Sequence, residues 1–300
     1  MVVSRALTTV VIIAVLTSLL AVIVDLPSPT PYSPFNNGSL GYSELVEISN
    51  AQVISTINDV ESLDRGGTVL ILPLVKELSN ETYSIFKELV SEGLTIIVLD
   101  EKGYSNSLLK HLGINAYVSN QTVLDEISKL NDRFHPIIKV LIQGGNSSYI
   151  DVVMYKPSYI VVSNKVLGGV VGTTSSYAYA DTDGNGYYSI GEVMKSYIVI
   201  HSWNVGRGKV VLISDLDLWS NDLIVKEGNA KLLKYLVGSE RTFMLTLGLE
   251  IGLIDGIKFV FMKFRLSRYY GSGLLPLIGF LILMAVLMVV RYAERGQRKV

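Results

Sequence analysis

Two long, uncharged apolar runs bracket this chain, and between them short apolar runs alternate with polar stretches. Residues 6–24 (ALTTVVIIAVLTSLLAVIV) and 274–290 (LLPLIGFLILMAVLMVV) each approach the ~20 residues a helix needs to cross a bilayer. The pattern therefore predicts a transmembrane anchor within residues 1–24 and a transmembrane helix with a basic tail within residues 271–300. The first run exceeds a signal-peptide core and no small-residue cleavage site precedes Asp25, so it reads as an uncleaved anchor. Arg5 before it, and Arg291, Arg295, Arg298 and Lys299 after the second run, place both termini in the cytoplasm. The expected location is the cell membrane, two-pass, with the central domain extracytoplasmic. Lys258, Lys263, Arg265 and Arg268 nearly balance the charge rule across the second helix. Residues 242–262 are a weaker candidate for a third span, because Glu250, Asp255 and Lys258 are costly at mid-bilayer. Glu250, Lys258, Arg265 and Arg268 share one helical quadrant, so residues 241–270 read as an amphipathic juxtamembrane segment.

Inside the bracket, residues 25–40 are rich in proline, serine and asparagine and predict an extended linker. Residues 41–240 read as one α/β domain. Thr68–Leu72 is a continuous apolar run, as in a strand buried on both faces. Ser79 is a suitable helix cap, Ile85, Phe86, Leu89 and Val90 form an apolar stripe, and Gly93 ends the helix. Leu94–Leu99 is apolar again, completing a βαβ unit and a parallel sheet. A short helix is expected over Ser105–Leu112. Residues 137–171 hold several β-rich runs, expected as an antiparallel insert or sheet extension. The αβ pattern resumes at KVVLIS (209–214), with a helix from Asn229 to Leu236 stopped by Gly238.

Charge is polarised along the chain. Residues 25–240 carry 16 basic and 24 acidic side chains, and residues 241–300 carry 9 basic and 3 acidic. An acidic domain does not seek phosphate backbones, so nucleic acid is excluded as a partner. The basic end favours anionic head groups, making membrane lipid a partner alongside a protein in the membrane. Cysteine is absent, which removes disulfides, thiolate metal sites and thiol nucleophiles. His111, His135 and His201 lack metal-ligand spacing, and Asn37, Asn80, Asn120 and Asn146 head N-x-[ST] sequons in the middle region.

The sharpest local motif is DTDGNGYYSIGE, residues 181–192. A calcium loop needs oxygen ligands at positions 1, 3, 5, 7 and 9, glycine at 6 and a bidentate carboxylate at 12. Those positions hold Asp181, Asp183, Asn185, the Tyr187 carbonyl, Ser189, Gly186 and Glu192. The alternative is a hairpin with acidic turn residues. An entering helix is not expected, since SSYAYA before the loop reads as a strand.

Parallel sheets bind ligands at the carboxyl ends of their strands. Those ends hold Pro73, Asp100 and residues 215–221, giving a candidate ligand site of Asp100, Asp215, Asp217, Ser220 and Asn221. Helix and loop capping is the competing role for these side chains. Asn36, Asn37 and Gly38 offer either backbone amides to a ligand or a plain turn.

The ordered runs SPFNNGSLGYSELVEI, VLILP…LSNETYSIFKELVSEGLTIIVLD and GRGKVVLISDLDLWSNDLI…GNAKLLKYL resemble a family of membrane-anchored domains of unknown function. That family is similar in fold to class I glutamine amidotransferases. The resemblance implies a flavodoxin-like, three-layer α/β sandwich with a β-rich insert. The amidotransferases act through a catalytic cysteine. Without one, that activity is excluded here, and no G-x-S-x-G elbow replaces it. The expected function is a membrane-tethered, non-catalytic binding or scaffold domain. The alternatives are an accessory subunit of a transport or envelope-assembly complex, or a hydrolase whose carboxylates gather around one cleft.

Overall fold

The computed structural model describes residues 25–143, 147–163 and 169–263, with single positions between 11 and 22. Among the described residues no helix is long and apolar enough to cross a membrane. This overturns the two flanking transmembrane helices and the two-pass membrane location built on them. The longest helix lying wholly within the described residues has 12 residues, or ~18 Å, against the ~30 Å of a hydrocarbon core. The run 274–290 and most of the run 6–24 lie outside the described residues. Residues 241–263 are also not one amphipathic helix or third span: a strand, Arg241–Leu245, is followed after a break by a helix, Leu253–Lys263.

Two compact units form, Pro29–Glu250 and Met1–Ser28 with Ile251–Val300. In the second, the described helix begins where the Asp255 carboxylate accepts the Gly252 amide.

The first unit runs in order α1 (Ser43–Ser49), β1 (Gln52–Ile54), α2 (Ile57–Glu61), β2 (Thr68–Pro73), α3 (Asn80–Ser91), β3 (Thr95–Leu99) and α4 (Asn106–His111). Then come β4 (Ala116–Val118), β5 (Thr122–Asp125), β6 (Ile137–Ile142), β7 (Ser148–Val153), β8 (Ile160–Val162), β9 (Val170–Thr173) and β10 (Ala178–Asp181). The chain closes with β11 (Ile198–Val205), β12 (Gly208–Ile213), a 3-10 turn (Asp217–Trp219), α5 (Asn221–Ile224), α6 (Glu227–Val237) and β13 (Arg241–Leu245).

The main sheet has nine strands in the order β1-β13-β2-β3-β12-β11-β9-β6-β7. Its first five strands are parallel, and from β12 onward every pairing is antiparallel. The flavodoxin-like expectation is therefore corrected to a large mixed sheet. The cause is the β11–β12 hairpin, which closes with Val205 opposite Gly208. Gly206 takes the left-handed backbone the turn requires, φ 59°, and its Cα faces the Ser91 backbone, leaving no room for a Cβ. This hairpin turns the run of parallel strands into an antiparallel extension, so β6, β7 and β9 join the main sheet rather than forming an insert.

Period-two alternation splits each parallel strand between two cores. Val69, Ile71, Ile97, Leu99, Val211 and Ile213 face one cluster with Tyr42 and Leu45 of α1, Trp219, and Leu232 and Leu233 of α6. Leu70, Leu72, Ile96, Val98, Val210 and Leu212 face the other, with Val60 of α2, Tyr83, Phe86 and Leu89 of α3 and Leu108 of α4. The βαβ unit forms as its sequence implies. The Ser79 hydroxyl accepts the Thr82 amide at 3.3 Å, and Gly93 has φ 125°, a conformation side-chain-bearing residues rarely adopt.

Asn229 ties α6 to the antiparallel half. Its amide donates to the carbonyls of Val153, Leu218 and Leu223 at 2.8, 3.0 and 3.0 Å, and its Oδ1 accepts the Val153 amide at 2.8 Å. The residue is fully buried, so truncation leaves several polar groups unpaired. Asn229→Ala should lower unfolding stability by about 3 kcal/mol in urea titration, with little change on Glu88→Ala at the surface; equal midpoints would contradict this role.

Candidate functional site

Two groups of three carboxylates converge among the described residues, each with oxygens within 4.8 Å of one another: Asp181, Asp183 and Glu192, and Glu101, Asp215 and Asp217.

The first group is the sequence-identified loop. It leaves β10, whose last residue Asp181 pairs antiparallel with Thr122 of β5. Asp181 Oδ1 accepts the amides of Gly184 and Asn185, and Oδ2 that of Gly186. Asp183 Oδ2 accepts the Ser189 hydroxyl at 2.8 Å and the Asn185 amide nitrogen at 2.9 Å. Asn185 also donates to Ser189 Oγ, and its Oδ1 accepts the Tyr187 amide. Glu192 closes the ring: Oε1 accepts the Thr182 amide and Oε2 the Ser189 amide, both at 2.8 Å. It is buried to 6% exposure although it sits in a surface loop. Gly184 and Gly186 have φ 73° and 77°, and a Cβ at Gly186 would press the Phe134 ring at 3.2 Å.

The structure thus brings Asp181, Asp183, Asn185, Ser189 and Glu192 into one network. Tyr187 enters it through its backbone, while the Arg133 guanidinium lies 4.2 Å over its ring and donates to the Gly186 carbonyl. Arg133 is in turn held by Glu126 at 2.9 Å. Hydrogen bonds from Ser189 and the Asn185 amide hold the exposed Asp183 carboxyl below the usual range. Arg133 and Thr182 were not foreseen, because neither belongs to the ligand spacing.

The second group follows from strand register. Leu99 of β3 pairs with Ile213 of β12, so the residues two further on, Glu101 and Asp215, emerge together. Sequence reading named Asp100 here instead. Asp100 is fully buried and caps the following turn, its oxygens accepting the amides of Lys102, Gly103 and Ser105. Asp215 is fully buried, with Oδ1 accepting the Asp217 amide and Oδ2 the Tyr155 amide. Burial, then the neighbouring Asp217 charge, drives its carboxyl well above the usual range. Asp217 accepts the Tyr32 hydroxyl at 3.3 Å, and burial and Glu101 push its carboxyl up to about 6.

The other site candidates are structural in their contacts. Asn221 Nδ2 donates to the carbonyls of Asn36 and Gly38 and to Ser43 Oγ, and its Oδ1 accepts the Glu44 amide. Asn36 Oδ1 accepts the Gly38 amide, as in a side-chain-supported turn. Ser220 is buried and its Oγ has no hydrogen-bond partner. Pro73 ends β2. Ser202 Oγ accepts the Val170 amide, and the His201 ring lies 4.4 Å from that of Trp203. Asn37, Asn80 and Asn120 are exposed, and Asn146 lies outside the described residues. A groove of about 420 Å³ opens at the amino-terminal edge of β1 and β13, beside Asn50, Gln52, Lys234 and Arg241.

The family described as "Domain of unknown function (DUF4350)" matches residues 31–237. The chain belongs to this family. The match does not show the expected likeness to amidotransferases. No curated protein matches the chain. Among solved structures, the mmIFT52 N-terminal domain shares 15% identity at a TM-score of 0.43, over 61% of this chain and 81% of that one. The GH42 β-galactosidase Gan42B shares 16% identity at 0.31, over 58% of this chain and 22% of that enzyme. Alpha-L-fucosidase isoenzyme 2 from Paenibacillus thiaminolyticus shares 15% at 0.35, over 60% and 26%. This DUF4350 chain thus spans about a quarter or less of the two glycosidases, and at these TM-scores the likeness carries no functional argument.

The contacts of Asn221 and Ser220 separate capping from ligand binding. Asn221→Ala should cost about 1–2 kcal/mol in chemical denaturation, because it strands the 36–44 backbone. Ser220→Ala should stay within about 0.5 kcal/mol of wild type, since its hydroxyl makes no bond to lose. The reverse ranking would contradict the capping assignment.

Proposed function

We propose that this DUF4350 domain is a non-catalytic binding module that takes a calcium ion at Asp181–Glu192 and docks a protein partner through the same loop. The observation that carries this reading is the pairing of a ligand ring with an exposed apolar rim. Tyr187, Tyr188, Ile190, Val193 and Met194 are 62, 46, 104, 62 and 43% exposed. Five large apolar side chains in eight residues, left in solvent, are the kind of patch that marks an interaction site. Calcium would order the backbone that displays them.

The chemistry of the ring suits a hard cation, since every ligand atom is oxygen and three ligands are carboxylates. In the structure the Asn185 amide nitrogen lies among those acceptors, donating to Asp183 and Ser189. Ion binding would turn this amide over, so that Oδ1 faces inward and the nitrogen's role passes to the cation. Glu192 already presents both oxygens on the loop's closing side. A neutral Asn among the ligands and no entering helix argue for modest affinity, ~10⁻⁴–10⁻³ M, so the site fills at millimolar calcium.

Enzymatic readings find less support. The chain has no thiol, and a hydrolase built on Asp100, Asp215 and Asp217 loses Asp100 to the turn it caps. Asp215 is wholly enclosed and cannot meet a substrate.

Calcium at tenfold excess over its dissociation constant should stabilise the folded chain by about 1.4 kcal/mol. The protein should melt higher in calcium than in chelator, and Glu192→Gln should remove most of the difference. Identical melting curves with and without calcium for the wild-type chain would leave an acidic hairpin and defeat the reading.

A further inference from the structure

A loop of chain before α1 is clasped at two points. At its tip, Asn221 holds the carbonyls of Asn36 and Gly38. At its stem, Tyr32 and Tyr42 stack with centroids 5.4 Å apart. The Tyr32 hydroxyl donates to Asp217 and the Tyr42 hydroxyl donates to the Leu216 carbonyl at 2.6 Å. Backbone bonds close the stem, Tyr32 N to Leu40 O and Tyr42 N to Ser33 O. Tyr32 also adopts a left-handed backbone, φ 59°, which a tyrosine holds only when its surroundings fix it. The tip clasp is made of neutral groups. The stem clasp rests on the segment between Asp215 and Asp217, where three carboxylates meet.

We propose that Asp215 and Asp217, beside the Glu101 carboxylate, form a proton-operated latch, which grips the Tyr32–Tyr42 stem while the two aspartates carry protons and loosens it as they leave. Like charges with oxygens inside 4.8 Å repel strongly where water is excluded. Both aspartates lie below one-tenth exposure, and they bracket Leu216, whose carbonyl receives Tyr42. Deprotonation drives Asp217 away from Asp215 and Glu101, and the Leu216 carbonyl moves with it.

The charged groups facing this cluster set the balance. Glu101 comes from the end of β3, with Lys102 Nζ on its carboxylate at 3.4 Å. Asp222 of α5 adds negative charge, whereas the Tyr32 hydroxyl, a better donor to an ionised carboxyl, and His135, paired with Asp132, when protonated, work against it. Tyr32 and Tyr42 are uncharged, burial holding both hydroxyls well above their ordinary range. Tyr155 contributes its backbone amide to Asp215. The sign follows from burial. Carboxyls raised above their unfolded value contribute stability below that value, and the contribution is lost as pH rises through the folded one. For Asp217 that window runs from the ordinary carboxylate range up to about 6.

The test is hydrogen exchange on the full chain from pH 5 to 8, corrected for the intrinsic rate, with Trp219 emission as a second reporter inside the same turn. Protection at Tyr32, Tyr42 and 215–219 should fall roughly tenfold or more, while protection in β2 and β3 holds. Asp217→Asn keeps an acceptor for Tyr32 and cannot ionise, so it should remove most of the pH dependence, leaving only what Asp215 supplies. Glu101→Gln should weaken it and serves where Asp217→Asn does not fold. Constant wild-type protection across the range, or an undiminished slope in a folded Asp217→Asn, would overturn the latch.

Discussion

The parallel pairing of β3 with β12 is the constraint on which the rest depends. Both strands are apolar on both faces, so neither can sit at a solvent edge without exposing a row of Ile, Val and Leu. Helices must cover each face, and α1 and α6 on one side and α3 and α4 on the other do so. The same register then fixes what emerges at the carboxyl end. Asp100 turns back to cap its own loop, Glu101 comes level with Asp215, and the 3-10 turn delivers Asp217 and Trp219. The second carboxylate cluster is a consequence of packing. Enclosure raises its two aspartyl carboxyls above their ordinary range, which is what the proposed latch uses.

The Asp181–Glu192 loop has a different origin. It grows from β10, a strand of the small two-stranded sheet with β5, and its shape comes from local hydrogen bonds and three left-handed glycines. Its motif lies within twelve consecutive residues, so the grouping of these side chains was readable without knowledge of the fold. The neighbours that brace it, Arg133 and Glu126, come from fifty residues away and were not.

The same division holds for the fold. The βαβ unit from Thr68 to Leu99 was legible because cap, stripe, glycine and apolar runs agree over a short stretch. The antiparallel half was legible only in part: its strands over residues 137–171 are expected as an insert or sheet extension, but β11 (IVIHSWNV) mixes polar and apolar residues and its place is set by pairing with β12 and β9. Likewise Arg241–Leu245 is hydrophobic enough to extend a helical pattern. Its backbone instead pairs with β1 and β2, a partnership no local window contains. Apolar runs at the chain ends were read as membrane spans from length and hydropathy alone, while the described helices are too short to cross one.

Two acidic clusters thus have different roles in the account: one in a surface loop and rimmed by apolar side chains, the other enclosed and tied to the backbone. The claim that the first is a cation site is tested most directly with terbium, which takes oxygen sites of calcium's kind and emits when a nearby tyrosine is excited. Excitation of the full chain should give terbium emission through Tyr187 and Tyr188, displaced by millimolar calcium and lost in Glu192→Gln. Emission no stronger from the wild type than from Glu192→Gln would contradict the account.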